Sequence, residues 1–418
     1  MTSPIYLLIP FLFTGVGCSC QDRNDRRIFL WSVEDPWRRT KAYLFGTIHV
    51  PYTAVWDKVS ERVKEAFEQS DTAAFEVDLH DEATLKKLVR CKNLKKRQNV
   101  QSYLPAPMYK RLHKVMRNIQ DRIMATITRK ADSENDLFEK EMEAARIHTA
   151  LIGGWERKRP EWLLFMLYQL CDTTTASKEG GPQSARPPDD SPVLDLYLAE
   201  KALAGGKQMH AIESAEEQCN PISTVSQEQV LFAINYTIAY LERGQDDAPK
   251  RDRTVMELLH EYRCGQLEDT TIRKENRRDL SSLDEMEQEI EDQLREDIMI
   301  SRNERMAKRL RSLIDDHPDK KLFAALGTGH FLGDRSILQH LGSMGMIVTE
   351  VKEEDFIAWP NARHHRPNTL WVRSRDGRGD ASMQVLIELS SSEPKPSAAR
   401  LPFVTHLFLL ILVTKLLT

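Results

Sequence analysis

Between Lys41 and Leu79 the apolar positions change period twice. AYLFGTIH is a β-rich run, KVSERVKEAFEQS repeats apolar residues at helical spacing, and AAFEVDL is β-rich again. That order predicts a βαβ unit. Near the other end KLFAALGTGH, DRSILQHLGSMG and MIVTEV repeat it and predict a second one. Residues 105 to 318, between the two, are mainly of helical period, with KQMHAIES (207 to 214) as a candidate further strand. The expected architecture is α/β: a mainly parallel sheet formed by N- and C-terminal βαβ units, with a large helical insertion at about 105–318. Gly, Ser, Pro and Asp between Thr173 and Ser191 predict an exposed loop.

Both termini are apolar. Residues 4 to 17 (PIYLLIPFLFTGVG) have the length of a signal-peptide core and end in small residues, which predicts a signal peptide over 1–20. Residues 401–418 (LPFVTHLFLLILVTKLLT) are just long enough to cross a bilayer and predict a C-terminal membrane anchor. Upstream, Ser390 to Ser392 and a polar spacer follow the order of a GPI signal, so a single type I span and GPI attachment are both open. On either reading the domain at 21–372 and a flexible stalk at 373–400 lie outside the cell. Cysteine usage suits that compartment. Cys18 and Cys20 precede or flank the cleavage point, while Cys91, Cys171, Cys219 and Cys264 remain and allow three pairings. Asn235-Tyr236-Thr237 is a glycosylation sequon.

The chain has 418 residues, with 59 Lys and Arg against 63 Asp and Glu for a net charge of −4. Such a balance excludes a nucleic-acid protein built on a basic field. Hydrophobic content of 41% with 29% charged residues is globular, which confines any membrane segment to the ends.

Each βαβ unit carries one strand that runs into Gly-x-x-His, as Gly46-Thr47-Ile48-His49 and as Gly327-Thr328-Gly329-His330. Ligands in open α/β sheets sit beyond the carboxyl ends of strands, where both histidines fall. If the two strands are neighbours, both imidazoles enter one crevice. Glu76 interrupts the apolar strand Ala73–Leu79, and alternation sets Glu76 and Asp78 on one face. Two histidines and a carboxylate suit Zn, Mn, Co or Fe(II). His49, Glu76 and His330 are therefore the expected metal ligands, with Asp78 orienting them from behind. Whether Glu76 is a ligand or a general base is open at this point. On the helix expected over Asp284 to Ile314, Arg302 and Asn303 border the apolar stripe, so Arg302 can clamp a carboxylate or stabilise an oxyanion. No HExxH, GxSxG or GxxxxGK[ST] motif occurs. Gly327, Gly329 and Gly333 are one residue too long for GxGxxG, which leaves a dinucleotide fold as a competitor.

GTIHVPY (46 to 52), AFEVDL, GGWERKRPEW (153 to 162), PVLDLYLAEKA, the stretch from Glu213 to Cys219, SRNERMAKR (301 to 309) and GTGHFLG (327 to 333) resemble, in this order, the TIKI family of the wider TraB group. The resemblance runs from Phe29 to Val351. It implies a membrane-tethered metalloprotease that uses Mn or Co, trims the N-terminal region of Wnt proteins and so inhibits Wnt signalling. It also implies that His49, Glu76 and His330 are the family's motif residues and that Arg302 and Asn303 are its Arg-Asn pair. The short C-terminal segment departs from the family's usual type I span. A non-catalytic Wnt-binding protein and a hydrolase of small esters are the alternatives.

Overall fold

Among the described residues one sheet holds six strands: β1 (Leu30–Glu34), β2 (Lys41–Thr47), β3 (Thr72–Phe75), β4 (Gln208–Ala211), β5 (Leu322–Gly327) and β6 (Ile347–Glu350). This computed structural model describes residues 26–37, 40–129, 131–175, 191–243, 255–268 and 285–359. The expected signal peptide, stalk and C-terminal anchor lie outside them, as does the side chain of Cys171. No helix of the described residues is long and apolar enough to cross a membrane.

The spatial order is β4-β3-β5-β2-β1-β6. β4, β3, β5 and β2 are parallel, whereas β1 runs antiparallel between β2 and β6. The sheet is therefore mixed, and the two expected βαβ units are interleaved. β5 inserts between β2 and β3, pairing Thr47 with Gly327 on one side and Phe75 with Ala325 on the other. Every residue of β3 and β5, and all of β2 but Lys41, is buried, which is why these strands read as continuous apolar runs. β1, short and mixed in composition, has no such signal.

Helices α1 (Glu61–Glu68) and α2 (Glu82–Cys91) flank the sheet; the Ser60 and Asp81 side chains cap them by accepting first-turn N–H groups. The insertion follows as α3 (Ala106–Thr128), α4 (Glu134–Ile152), α5 (Pro160–Thr175), α6 (Leu194–Ala204), α7 (Ala215–Cys219), α8 (Gln227–Arg243), α9 (Val255–Cys264), α10 (Glu285–Arg295) and α11 (Ser301–Asp316). α12 (Ile337–Ser343) connects β5 to β6. The insertion is not one helical block. Leu112, Met116, Leu163, Leu167, Ile234, Ile238 and Ile290 form a core of their own. By contrast Leu194, Leu198, Ile212, Tyr262, Met306 and Leu310 pack with the strands in the sheet's core. The dinucleotide competitor fails here: β5 passes into a 3-10 turn (Thr328–Phe331), and the following helix starts only at Ile337 and has 7 residues.

Candidate active site

Four adjacent parallel strands end at one edge of the sheet, and each delivers an ionisable side chain there. His49 lies two residues past β2, Glu76 directly past β3, Glu213 two past β4 and His330 three past β5. All four are buried, from 0% exposed at His330 to 7% at Glu76. Gly327 makes room for their convergence. A Cβ at this position would lie 3.2 Å from Glu76 Oε1, 3.4 Å from His49 Nε2 and 3.8 Å from His330 Cδ2. Gly46 is constrained differently: a Cβ there would meet Thr328 Oγ1 at 2.8 Å, so glycine lets β2 and the Thr328 turn approach.

Each imidazole is anchored through Nδ1 and turns Nε2 toward the site, that of His330 lying 3.7 Å from Glu76 Oε1. Asn303 Nδ2 donates to the carbonyl of Arg335 (2.8 Å), which turns Oδ1 toward His330; His330 Nδ1–H therefore donates to it (2.6 Å). His49 Nδ1–H donates to Asp195 Oδ2 (2.7 Å), and Thr47 Oγ1 donates to Asp195 Oδ1 (2.6 Å). Both Nε2 atoms are buried without a hydrogen-bond partner. The backing groups separate the two rings electrostatically. Burial and then the Arg302 charge push His330 down to about 4, so it is neutral near pH 7. Burial also opposes a charge on His49, but the Asp195 carboxylate and Glu76 outweigh it and raise His49.

Glu76 Oε1 accepts from Gly327 N–H (2.9 Å), and its Oε2 accepts from Gln218 Nε2 (3.2 Å) and Arg302 Nη2 (3.4 Å). Burial favours the protonated acid. His330, Arg302, His49 and the Gly327 N–H prevail, and Glu76 stays below the usual carboxylate range. Arg302 forms its main pair with Glu213, Nε to Oε1 at 2.9 Å and Nη2 to Oε2 at 2.5 Å. This bidentate pair is the tighter clamp; Glu76 is its secondary partner. Gln218 Nε2 reaches Glu213 as well (3.0 Å). The disulfide Cys91–Cys219 ties the ends of α2 and α7 together beside Gln218, and Cys264 is disulfide-bonded too.

Two expectations change. β3 stops at Phe75, so alternation no longer governs Asp78, which is exposed and accepts from the His80 and Asp81 backbone N–H groups at 2.9 and 3.1 Å. Asp78 therefore caps a turn, and the carboxylate behind a histidine is Asp195. Arg302 and Asn303 are themselves buried (7% and 3% exposed), each one turn before Met306 and Ala307 on the buried face of α11, so that face is wider than the Met and Leu stripe alone suggests. No three or more His, Cys, Asp or Glu side chains among the described residues already stand together as a metal shell. Glu76 already has both oxygens hydrogen-bonded. Two unpartnered imidazole nitrogens facing the space opened at Gly327 nonetheless fit a divalent cation in donor type. Asn235 is exposed on α8, its Oδ1 accepting from Arg111 Nη1 (2.7 Å).

The chain belongs to the TraB/PrgY/gumN family, whose family model matches residues 29–350. It is 36% identical over 342 residues to "Metalloprotease TIKI2" of Danio rerio, which covers 80% of this chain and 62% of that relative. Its identity to "Metalloprotease TIKI1" of Homo sapiens is 34%, over 77% of this chain and 62% of the relative. With "Metalloprotease TIKI homolog" of Nematostella vectensis it shares 33%, over 80% and 70%. The chain thus spans somewhat under two thirds of the length of the two vertebrate relatives. No solved structure matches it.

Proposed function

We propose that this chain is a metal-dependent peptidase held at the outer face of the cell membrane, which removes N-terminal residues from Wnt proteins and thereby restrains Wnt signalling. The carrying observation is the pair of buried, unpartnered Nε2 atoms of His49 and His330 beside Glu76 at Gly327. The names of the relatives support a metalloprotease. The tether rests on the apolar segment at 401–418, where the sequence fits both a type I span and a GPI signal, and outside the cell Asn235 would carry a glycan.

His49 and His330 would hold the cation, Mn or Co, with Zn also compatible with the donors. When bound, it supplies Lewis-acid polarisation of the peptide carbonyl and acidifies water. The chain's own groups do the rest. Asp195 and Asn303 fix both Nδ1–H tautomers so that the Nε2 lone pairs face the site. Glu76, kept ionised, uses the second lone pair of Oε1 to accept a proton from the attacking water and returns it to the leaving amine. Arg302, engaged by Glu213, keeps Glu76 charged and oriented.

The test is intact-mass analysis of a purified Wnt protein incubated with the ectodomain (about residues 21 to 390), with and without Mn or Co, beside His330→Ala. An N-terminally shortened product that needs metal and His330 is expected. An unchanged mass with a stable complex would instead make this a sequestering protein.

A further inference from the structure

Phe29, the residue before β1, is buried and has φ 52, a left-handed backbone that a bulky side chain adopts only under strain. Among the described residues Arg97 is the other non-glycine with positive φ, and it lies on an exposed turn. Strain in a core persists only where the surroundings fix it, and two contacts do so here. Gly46 N donates to Phe29 O (2.8 Å), and the Phe29 ring stacks on that of Tyr262 in α9, with centroids 5.1 Å apart and planes 5° from parallel.

Phe29 stands opposite Gly46, one step beyond the Leu30–Phe45 pair. In an antiparallel ladder a pair joined at this position exchanges two bonds. Here the second comes from outside the sheet: Tyr262 Oη donates to Gly46 O at 2.7 Å. Tyr262 is buried, and burial, then the Asp195 charge, push its phenol up, so the hydroxyl stays a donor. The next carbonyl is pinned in the same way, Thr47 O accepting from Thr328 Oγ1 (2.8 Å), while the Thr47 hydroxyl donates to Asp195. Gly46 opens the Gly-x-x-His segment that carries His49. Tyr262 therefore bears on the root of that segment, from a helix that the proposed catalysis leaves without a role.

We infer that Tyr262 is a positioning residue for His49: its buried hydroxyl, braced by the strained Phe29, fixes the Gly46 carbonyl so that the segment delivers His49 Nε2 to the space opened at Gly327. The inference rests on the two-histidine centre proposed above. Its part differs from that of Asp195, which holds the ring of His49, whereas Tyr262 holds the backbone that carries it. Without the hydroxyl a buried carbonyl loses this donor, a cost that the end of β2 relieves by shifting. Three residues on, that shift takes His49 away from its partner histidine.

Full-length protein with Tyr262→Phe, which deletes one oxygen and keeps the stacked ring, tests this through two readouts. Affinity for Mn or Co, read by equilibrium dialysis, is expected to fall about tenfold, the scale of losing a group that orients a metal ligand. Hydrogen exchange of the metal-free protein, read by mass spectrometry, should quicken several-fold in peptides covering 44–50 and keep its wild-type rate in those covering β3. p-Aminophenylalanine at position 262, which keeps a donor there, should restore both. Wild-type affinity and exchange in Tyr262→Phe, or faster exchange across β3 as well, would overturn the inference and leave Tyr262 a packing residue. If the wild-type protein binds neither ion, the two-histidine reading fails by itself, and the exchange pattern still decides whether Tyr262 fixes the segment.

Discussion

His49 and His330 follow neighbouring parallel strands paired at Thr47 and Gly327, and each presents a buried Nε2 while its Nδ1 is held from behind. The holders differ. Asp195 is a carboxylate and Asn303 a neutral amide, so the two rings have the same tautomer and unequal basicity.

Gly327→Ala should close the site without unfolding the chain. Gly327 has φ −54, which alanine adopts freely, yet its methyl would press on Glu76 Oε1 and His49 Nε2. Far-UV circular dichroism should match wild type, with metal binding and cleavage lost. Undiminished cleavage would show that the reacting atoms lie elsewhere.

Asp195→Asn removes the charge behind His49 and leaves a group of the same shape. Metal affinity, read by calorimetric titration, should fall about 10–100-fold. Asn303→Ala should act likewise through His330. An Asp78→Ala change should leave affinity within about twofold of wild type, since Asp78 only caps a turn.

Glu213→Gln should be the most destabilising change at the site, because it leaves the buried Arg302 charge with Glu76 at 3.4 Å as its remaining carboxylate and otherwise only the Ile298 carbonyl. Breaking a buried pair by removing one member costs about 3–5 kcal/mol. Urea unfolding measures it. Removing both partners, as Arg302→Met with Glu213→Leu, should cost less than the sum of the single changes.

The frame of the candidate site was half legible in the sequence. Gly-x-x-His at two strand ends and Glu76 in an apolar strand stand out because polar groups are rare in doubly covered strands. Asp195 and Glu213 do not. Asp195 sits inside the apolar helix Leu194–Ala204, and Glu213 follows the short, largely polar strand β4. Their place at the site depends on α6 and β4 returning from the insertion to the sheet, a long-range contact with no local period. Asp78 misled for a related reason: alternation extends only as far as the strand does, and a bend after Phe75 ends it. The interleaving of β5 between β2 and β3 was likewise invisible, since periodicity gives element type and not neighbours.

Stability should depend on pH through Lys92. Burial holds its folded value at about 7, below the ordinary 10.5, so between the two the unfolded chain holds a proton that the folded chain lacks. Stability therefore rises with pH across that window and is lowest below pH 7. Wild type should gain on the order of a few kcal/mol relative to Lys92→Met between pH 7 and 10. Parallel profiles would show that the amine is solvated.

The Cys91–Cys219 bond closes a sequence separation of 128, a restriction of the unfolded chain that amounts to on the order of 5 kcal/mol. Cys91→Ser with Cys219→Ser should lower the melting temperature. Cleavage should fall further than stability alone accounts for, because α7 carries Gln218 to Glu76.

Counting the divalent ions bound per chain by equilibrium dialysis, for wild type, His49→Ala and His330→Ala, tests the paired-histidine centre itself. One ion of Mn or Co per wild-type chain, lost in both variants while each remains folded, is the predicted result. Equal binding in all three proteins would contradict it and leave the two histidines with a structural role.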